Sequence, residues 1–290
     1  MARLAAALIA ATLVAPSLAA ADALREAAER GTLRLGVRAD AAPFSAADAS
    51  GGYAGYAVDL CRAVVEAAAR ATGRTINAQF VAVDAGNRFA VLAEGRIDLL
   101  CEATSRTLSR LDQADFTLPT FVTGPGLMVR LAPAPVGLPP LGGGGVGAPP
   151  QPPRRIGVLA GTTTERLIRD LVARGDLTAQ LVEAATHQDG LAALTAGLTD
   201  AYAADLEILV SLRGQAADPA ALAIADRVLG LETYALAVRP GARELRVLAD
   251  RVIAEAARSG ELVRIAARHF PGREPGEAFL ALMLFNALPE

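Results

Sequence analysis

The 290-residue sequence predicts an α/β protein of two lobes, each a mainly parallel sheet covered by helices. Three observations predict it. Strand-like apolar runs alternate with helical patterns over residues 32–103, and the same rhythm restarts over residues 155–238. Between the two series lies "APAPVGLPPLGGGGVGAPPQPP", residues 132–153, in which 14 of 22 residues are proline or glycine. Finally, 52% of the residues are hydrophobic, enough in a chain of this length to fill two modest cores.

The first element is a leader. "MAR" supplies one positive charge, "LAAALIAATLVA" an apolar stretch, and "PSLAAADA" small-residue cleavage points, so residues 1–21 are expected to be a cleaved export signal. The apolar stretch is shorter than the roughly 20 residues of a membrane-spanning helix. "TLRLGVRAD" then begins as an alternating strand with Leu33, Leu35 and Val37 on one face. "YAVDLCRAVVEAAARATG" puts Val58, Cys61, Val64, Val65 and Ala68 on one helical face and stops at Gly73. "TINAQFVAV" is a second strand, "AGNRFAVLAEGR" a short helix, and "IDLLCEA" a third strand.

Residues 132–153 can form neither a helix nor a central strand and are expected to be a linker or flexible insertion. Beyond them, "RRIGVLA", "AQLVEA", "DAYAAD" and "LETYALAVRP" are strands. Helices are expected over "TTTERLIRDLVARG", "QDGLAALTAGLT" and "LEILVSLRG". A last helical stretch, "ELRVLADRVIAEAARSGELVRIAARHF", breaks at Ser259-Gly260. "AFLALMLFNAL" is too short to span a membrane and suits a packed helix.

Composition excludes some functions. Net charge is −3, against a general nucleic-acid binder, and 4% aromatics without tryptophan leave few stacking platforms for bases or sugars. All 28 basic residues are arginine, so position must identify any arginine that matters. There is no phosphate-binding glycine loop, zinc-ligand spacing or nucleophile elbow, and neither a metal nor a cofactor is expected. Cys61 and Cys101 could form one disulfide in an oxidising compartment or remain buried thiols; the sequence leaves both open.

Open α/β sheets bind ligands beyond the carboxyl ends of their strands. Arg38 lies at the end of the first strand, and Thr104, Ser105 and Arg110 follow the third. Thr162 and Thr163 follow "IGVLAG", His187 follows "LVEAAT", and Asp205 ends "AYAAD". Polar groups therefore converge from both halves of the chain. "GTTTERL" has the form of a capping box, Thr162 with Glu165, opening a helix whose first N–H groups favour a carboxylate or phosphate; a plain structural cap reads the same way. Arg38 and Arg110 could each grip a carboxylate through two parallel hydrogen bonds, and Asp205 could pair with an ammonium group. His187 and Arg88 have ordinary surface readings as well.

With these residues in view, the chain resembles the extracytoplasmic solute-binding proteins (family 3) of polar amino-acid ABC transporters. The likeness runs from "LRLGVRADAAPFS" through "GYAVDLCRAV", "EGRIDLL" and "GTTTERL" to "LVRIAARHFP". Hydroxyl residues after the third strand, Arg110, and Phe116-Thr117 follow the family's pattern. It is most similar to the glutamate/aspartate-binding branch, through Arg38 before "PFS", Arg88 in "GNRFAVL", His187, and Asp205 after "AY".

The resemblance implies a type II periplasmic-binding-protein fold, with 22–124 plus 231–290 as one lobe and 125–230 as the other. It implies that Arg110, Ser105, Thr162 and Asp205, with Thr104 and Thr163 beside them, hold a ligand's α-carboxylate and α-ammonium groups. Arg38, Arg88 and His187 would meet a side-chain carboxylate. Ala103 stands where a serine is common, Ser109 where a glutamate is, and residues 132–153 replace the usual Asp-Leu-Lys-Gly connection. Arg106 has no counterpart in the pattern and is expected to be solvated.

The expectation is a monomeric periplasmic protein, not an enzyme, that closes on glutamate or aspartate and presents it to the membrane subunits of an ABC importer. Two rivals share the fold: a cyclohexadienyl dehydratase, for which Glu102 is the nearest candidate acid, and a ligand-sensing partner of a membrane receptor.

Overall fold

The computed structural model describes residues 23–131, 154–226 and 228–289. The expected export signal and the Pro/Gly-rich segment lie outside these residues. Among the described residues no helix is long and apolar enough to cross a membrane, and no cluster of three or more metal-ligating side chains occurs.

Two five-stranded sheets, with helices packed on them, form the two lobes. In the first, the order is Asn77–Ala82, Thr32–Val37, Leu99–Leu100, Glu232–Val238, Asp115–Thr123. In the second it is Gln180–Ala184, Arg155–Leu159, Ala201–Asp205, Pro125–Arg130, Leu222–Ile224. Within each sheet the fourth strand runs against the other four: Glu232–Val238 in one and Pro125–Arg130 in the other.

Thr32–Val37 buries Leu33, Leu35 and Val37, as its alternation requires. Tyr56–Thr72 is the expected helix; it buries Val58, Cys61, Val64, Val65 and Ala68 and ends on Gly73 at φ 64°, the left-handed turn glycine adopts freely. Gly260, at φ 73°, separates Arg243–Arg258 from Glu261–His269. The Cys61–Cys101 disulfide, left open by sequence, is formed and ties the Tyr56–Thr72 helix to the tip of the third strand.

Two expectations need correction, and a third, the packed C-terminal helix, is met. The third strand is only Leu99–Leu100; its ladder is completed by Asp98 and Cys101, whose N–H groups donate to the carbonyls of Arg34 and Gly36. The strands Asp115–Thr123 and Pro125–Arg130 carried no distinct sequence signal, yet they complete one sheet and begin the other. The C-terminal helix, Glu277–Asn286, packs on one face only: Phe279 and Leu282 are buried, Leu284 and Phe285 exposed.

The chain passes from the first sheet to the second through Gly124. A Cβ there would lie 2.1 Å from the carbonyl oxygen of Gly230 in the returning segment, so only glycine lets the two crossings touch. Six of the twelve phenylalanines and tyrosines gather beside this crossing: Phe44, Tyr56, Phe121, Tyr234, Phe270 and Phe279. Phe44 meets Tyr234 at 4.9 Å and Phe121 at 5.0 Å, in the edge-to-face arrangement that aromatic quadrupoles favour. This cluster fixes Tyr234, whose hydroxyl donates to Asp205 of the second sheet.

Candidate functional site

Strand tips of both sheets face one narrow cleft, lined by Arg38, Arg88, Ser105, Arg110, Thr162, Thr163, His187 and Asp205. Of the sequence-selected residues only Thr104 is absent from its wall. Thr104 is fully buried, and its hydroxyl donates to Glu102 instead.

The lobes already touch across the cleft. Ser105 Oγ lies 3.1 Å from Thr163 Oγ1, which donates to Glu232 Oε2 at 2.8 Å. The His187 backbone N–H donates to Asp40 Oδ2 at 3.1 Å, and Arg166 reaches Ser109 Oγ at 3.0 Å. A Cβ on Gly161 would come within 2.9 Å of the Ala85 carbonyl oxygen, so the facing loops approach to backbone distance.

Arg110 sits on the single helical turn Leu108–Leu111 after the third strand and is buried. Its Nη1 donates to the Ser105 carbonyl at 2.9 Å, and no carboxylate lies within ion-pairing distance among the described residues. Burial, and next the Arg88 charge, pull its pKa down to about 10, so it remains charged and lacks a counter-ion.

Across the cleft, Asp205 ends the Ala201–Asp205 strand. It accepts from Thr164 Oγ1 at 3.1 Å and from the Tyr234 hydroxyl, and no cation pairs with it among the described residues. Burial first, and then the neighbouring Glu232, push its pKa up to about 7. A buried guanidinium without an anion and a buried carboxyl without a cation thus line one small cleft. Each is costly alone, and a zwitterion would satisfy both.

The helix Thr163–Ala173 starts at the same wall. Thr162 caps it by accepting the Glu165 N–H at 3.1 Å, but the expected capping box is only half formed: the Glu165 carboxylate takes the N–H of Gly161, at 2.9 Å. The N–H groups of Thr163 and Thr164 have no intrahelical acceptor by helix geometry and add donors to the cleft. The complete capping box belongs to the next helix, His187–Thr195, through Thr186 and Asp189.

The Arg38 end is wired differently. Arg38 donates through Nε and Nη2 to Asp40 Oδ1, at 2.9 and 2.7 Å, and its Nη1 is 3.7 Å from Glu102 Oε2. Burial works against its charge, but Glu102 and Asp40 outweigh it and hold the pKa above the ordinary value. Arg88 places Nε 3.3 Å from Glu102 Oε1, while its Nη1 donates to the Ala85 carbonyl and Nη2 to that of Gly161 at 3.4 Å. Burial lowers its pKa, with Glu102 opposing. Glu102 itself has no exposed side chain and does not reach the cleft wall. As a candidate general acid it is therefore misplaced.

His187 is buried and uncharged. Burial, with the Arg38 charge second, pulls its pKa down to about 3. Its Nδ1 lies 2.9 Å from the Tyr202 hydroxyl, and its Nε2 has no hydrogen-bond partner. Tyr202 escaped sequence reasoning, although a signal existed: Gly190 interrupts a good helix, and a Cβ there would fall 2.0 Å from the Tyr202 ring. Asp40, Thr164 and Tyr234 were missed for a similar reason, since each acts through a partner distant in sequence. Arg106 is exposed, as expected.

The family profile described as "Bacterial extracellular solute-binding proteins, family 3" matches residues 33–272. The chain is 29% identical over 244 residues to a "Glutamate/aspartate import solute-binding protein" of Salmonella typhimurium, covering 84% of this chain and 78% of that protein. It is 29% identical over 225 residues to the "Glutamate/glutamine/aspartate/asparagine-binding protein BztA" of Rhodobacter capsulatus, covering 77% and 63%. Among solved structures, the cysteine-binding protein of Campylobacter jejuni superposes with a TM-score of 0.73 over 89% of this chain and 98% of that one, at 21% identity.

Proposed function

Because the chain belongs to the bacterial extracellular solute-binding proteins of family 3, we propose that it is a periplasmic receptor that captures a free α-amino acid of the glutamate/aspartate group. The acids are the reading carried by the Salmonella relative; their amides join them through the Rhodobacter one. The receptor delivers its ligand to the membrane subunits of an ABC importer and performs no chemistry on it. The lobes, residues 22–124 with 231–290 and residues 125–230, close about the crossing at Gly124 and Gly230.

The observation that carries the reading is the pairing of Arg110, a buried guanidinium without a counter-ion, with Asp205, a buried carboxyl without a cation, in one cleft. The ligand's α-carboxylate sits on Arg110 with Ser105 and the N–H groups of the Thr163–Ala173 helix. Its α-ammonium sits on Asp205. Arg38, Arg88 and His187 surround the side chain. Ligand bridging both lobes shifts the population towards the closed form.

Thermal unfolding of the mature protein against the twenty amino acids tests this, with calorimetry on the hits. A ligand at about 100 times its Kd adds roughly 2.7 kcal/mol, a rise of a few degrees for a chain of this size. If no amino acid raises the melting temperature, the reading falls. Turnover of prephenate would replace it with the dehydratase.

A further inference from the structure

We infer that Glu102 is a specificity-determining residue, a built-in counter-ion that sets the side-chain end of the cleft for an uncharged, hydrogen-bonding amide rather than a carboxylate. The inference rests on the amino-acid capture proposed above and names the member of the group that the cleft takes.

Glu102 lies behind the two arginines that a ligand carboxylate would need. One of its oxygens is 3.3 Å from Arg88 Nε and the other 3.7 Å from Arg38 Nη1. Arg38 spends its Nε/Nη2 edge on Asp40, and Arg88 spends its remaining nitrogens on two backbone carbonyls. Arg88 offers no free edge for the two-point grip that makes arginine a carboxylate receptor, and on the second edge of Arg38 the Nη1 already faces Glu102 at 3.7 Å. What remains is single N–H groups, which suit a carbonyl oxygen.

Charge points the same way. At this end the guanidinium groups of Arg38 and Arg88 meet the carboxylates of Asp40 and Glu102, and His187 is neutral. At the other end Arg110 faces Asp205, with Glu232 one hydroxyl further on. The ligand's zwitterion completes that second set. An acidic side chain would then enter a region already balanced and lose its hydration without an uncommitted cation. An amide enters with no charge, and the partnerless His187 Nε2 stands ready for it.

Glu102 is also poorly satisfied as a structural ion pair. Its Oε2 and the Arg88 Nε have no hydrogen bond of good geometry among the described residues. A carboxylate retained for packing stability alone would be expected to have its lone pairs filled.

Calorimetry of the mature protein with glutamine, asparagine, glutamate and aspartate, repeated on Glu102→Gln, decides it. The wild type is expected to bind at least one amide ten-fold or more tighter than its acid. Glu102→Gln uncovers the two arginines and is expected to shift the acid-to-amide ratio ten-fold or more towards the acid. Tighter binding of the acids by the wild type, or an unchanged ratio in the variant, overturns the inference while leaving amino-acid capture standing. Binding of none of the four by the wild type removes the assignment to the glutamate/aspartate group on which the inference rests. Should Glu102→Gln not fold, the double variant Glu102→Gln/Arg88→Gln removes one charge of each sign. It is expected to keep the amide preference, and a preference for the acids there overturns the assignment.

Discussion

At one end of the cleft, Arg110 has a backbone carbonyl for a partner and, among the described residues, no carboxylate within ion-pairing distance. At the other, Arg38 and Arg88 share Glu102, and Arg38 holds Asp40 as well. The three side chains are chemically identical and comparably buried. They differ in what the fold has placed behind them. An arginine recruits a ligand anion only when the protein has withheld its own, so counting cations around a cleft says little until their counter-ions are counted too. On the proposed reading the first end is a receptor for charge, and the second a neutral surface of hydrogen-bond donors.

The comparison can be broken most forcefully through the disulfide. Cys101 immediately precedes Glu102, and its bond to Cys61 anchors the Arg38–Arg88 end while leaving Arg110 untouched. Replacing both cysteines by serine releases a 40-residue loop, and the chain-entropy account assigns this about 4 kcal/mol. Denaturant unfolding of the double variant should show a loss of that order. Well below its melting temperature the variant should still depend on Arg110 for ligand. Equal melting temperatures for the oxidised and reduced proteins would contradict the first expectation.

Arg110→Met attacks the other end. Truncating one partner of a buried charge pair costs about 2–5 kcal/mol in binding, so calorimetry should find affinity weaker by two to three orders of magnitude. The unliganded variant should melt no lower than the wild type, since the substitution removes a buried charge that had no partner. A loss of affinity below ten-fold would show that Arg110 is not the carboxylate anchor.

Much of this was legible beforehand, because the features concerned are local. The strand-helix rhythm follows from apolar periodicity, and Gly73 and Gly260 stop helices where they stand in sequence. Strand tips gather at a cleft in any open α/β sheet, so Arg38, Ser105, Arg110, Thr162, His187 and Asp205 could be chosen by position alone. The third strand's length was overestimated because its apolar run continues beyond the two residues that ladder fully. The role of Glu102 was hidden for a different reason. Its identity was plain, but its direction was not: it lies past the two-residue strand, and its side chain turns from the cleft towards Arg38 and Arg88, which lie 64 and 14 residues upstream. Pairing of that kind has no sequence periodicity to announce it.

The acidity of Asp205 sharpens the comparison with a smaller effect. Its pKa near 7 means that below neutrality the unliganded carboxyl takes up a proton, which the ligand's ammonium must expel. Affinity should therefore fall as pH drops below about 7, approaching ten-fold per unit, and level off above it. Stability without ligand follows the opposite sense. The unfolded carboxyl ionises at lower pH, so the unliganded chain loses stability as pH rises from the ordinary carboxylate range to about 7. Asp205→Asn should bind weakly with no such slope, and calorimetry between pH 5 and 8 in both proteins distinguishes this from general acid unfolding.

The smallest effect concerns His187. Gly157 and Gly190 leave the slot in which the Tyr202 ring lies, and the Tyr202 hydroxyl meets His187 Nδ1 at 2.9 Å. On the proposed reading that bond holds the imidazole so that Nε2 is left for the ligand. Tyr202→Phe keeps the ring and removes only the hydroxyl, a change worth about 1 kcal/mol for one hydrogen bond. Affinity should fall about five-fold, with little change in melting temperature. The loss should be greatest for ligands whose side chain can bond to the imidazole and near zero for alanine, which reaches only Arg110 and Asp205. A loss of the same size for alanine would mean that Tyr202 supports the cleft as a whole, and His187 would then no longer belong to the side-chain end.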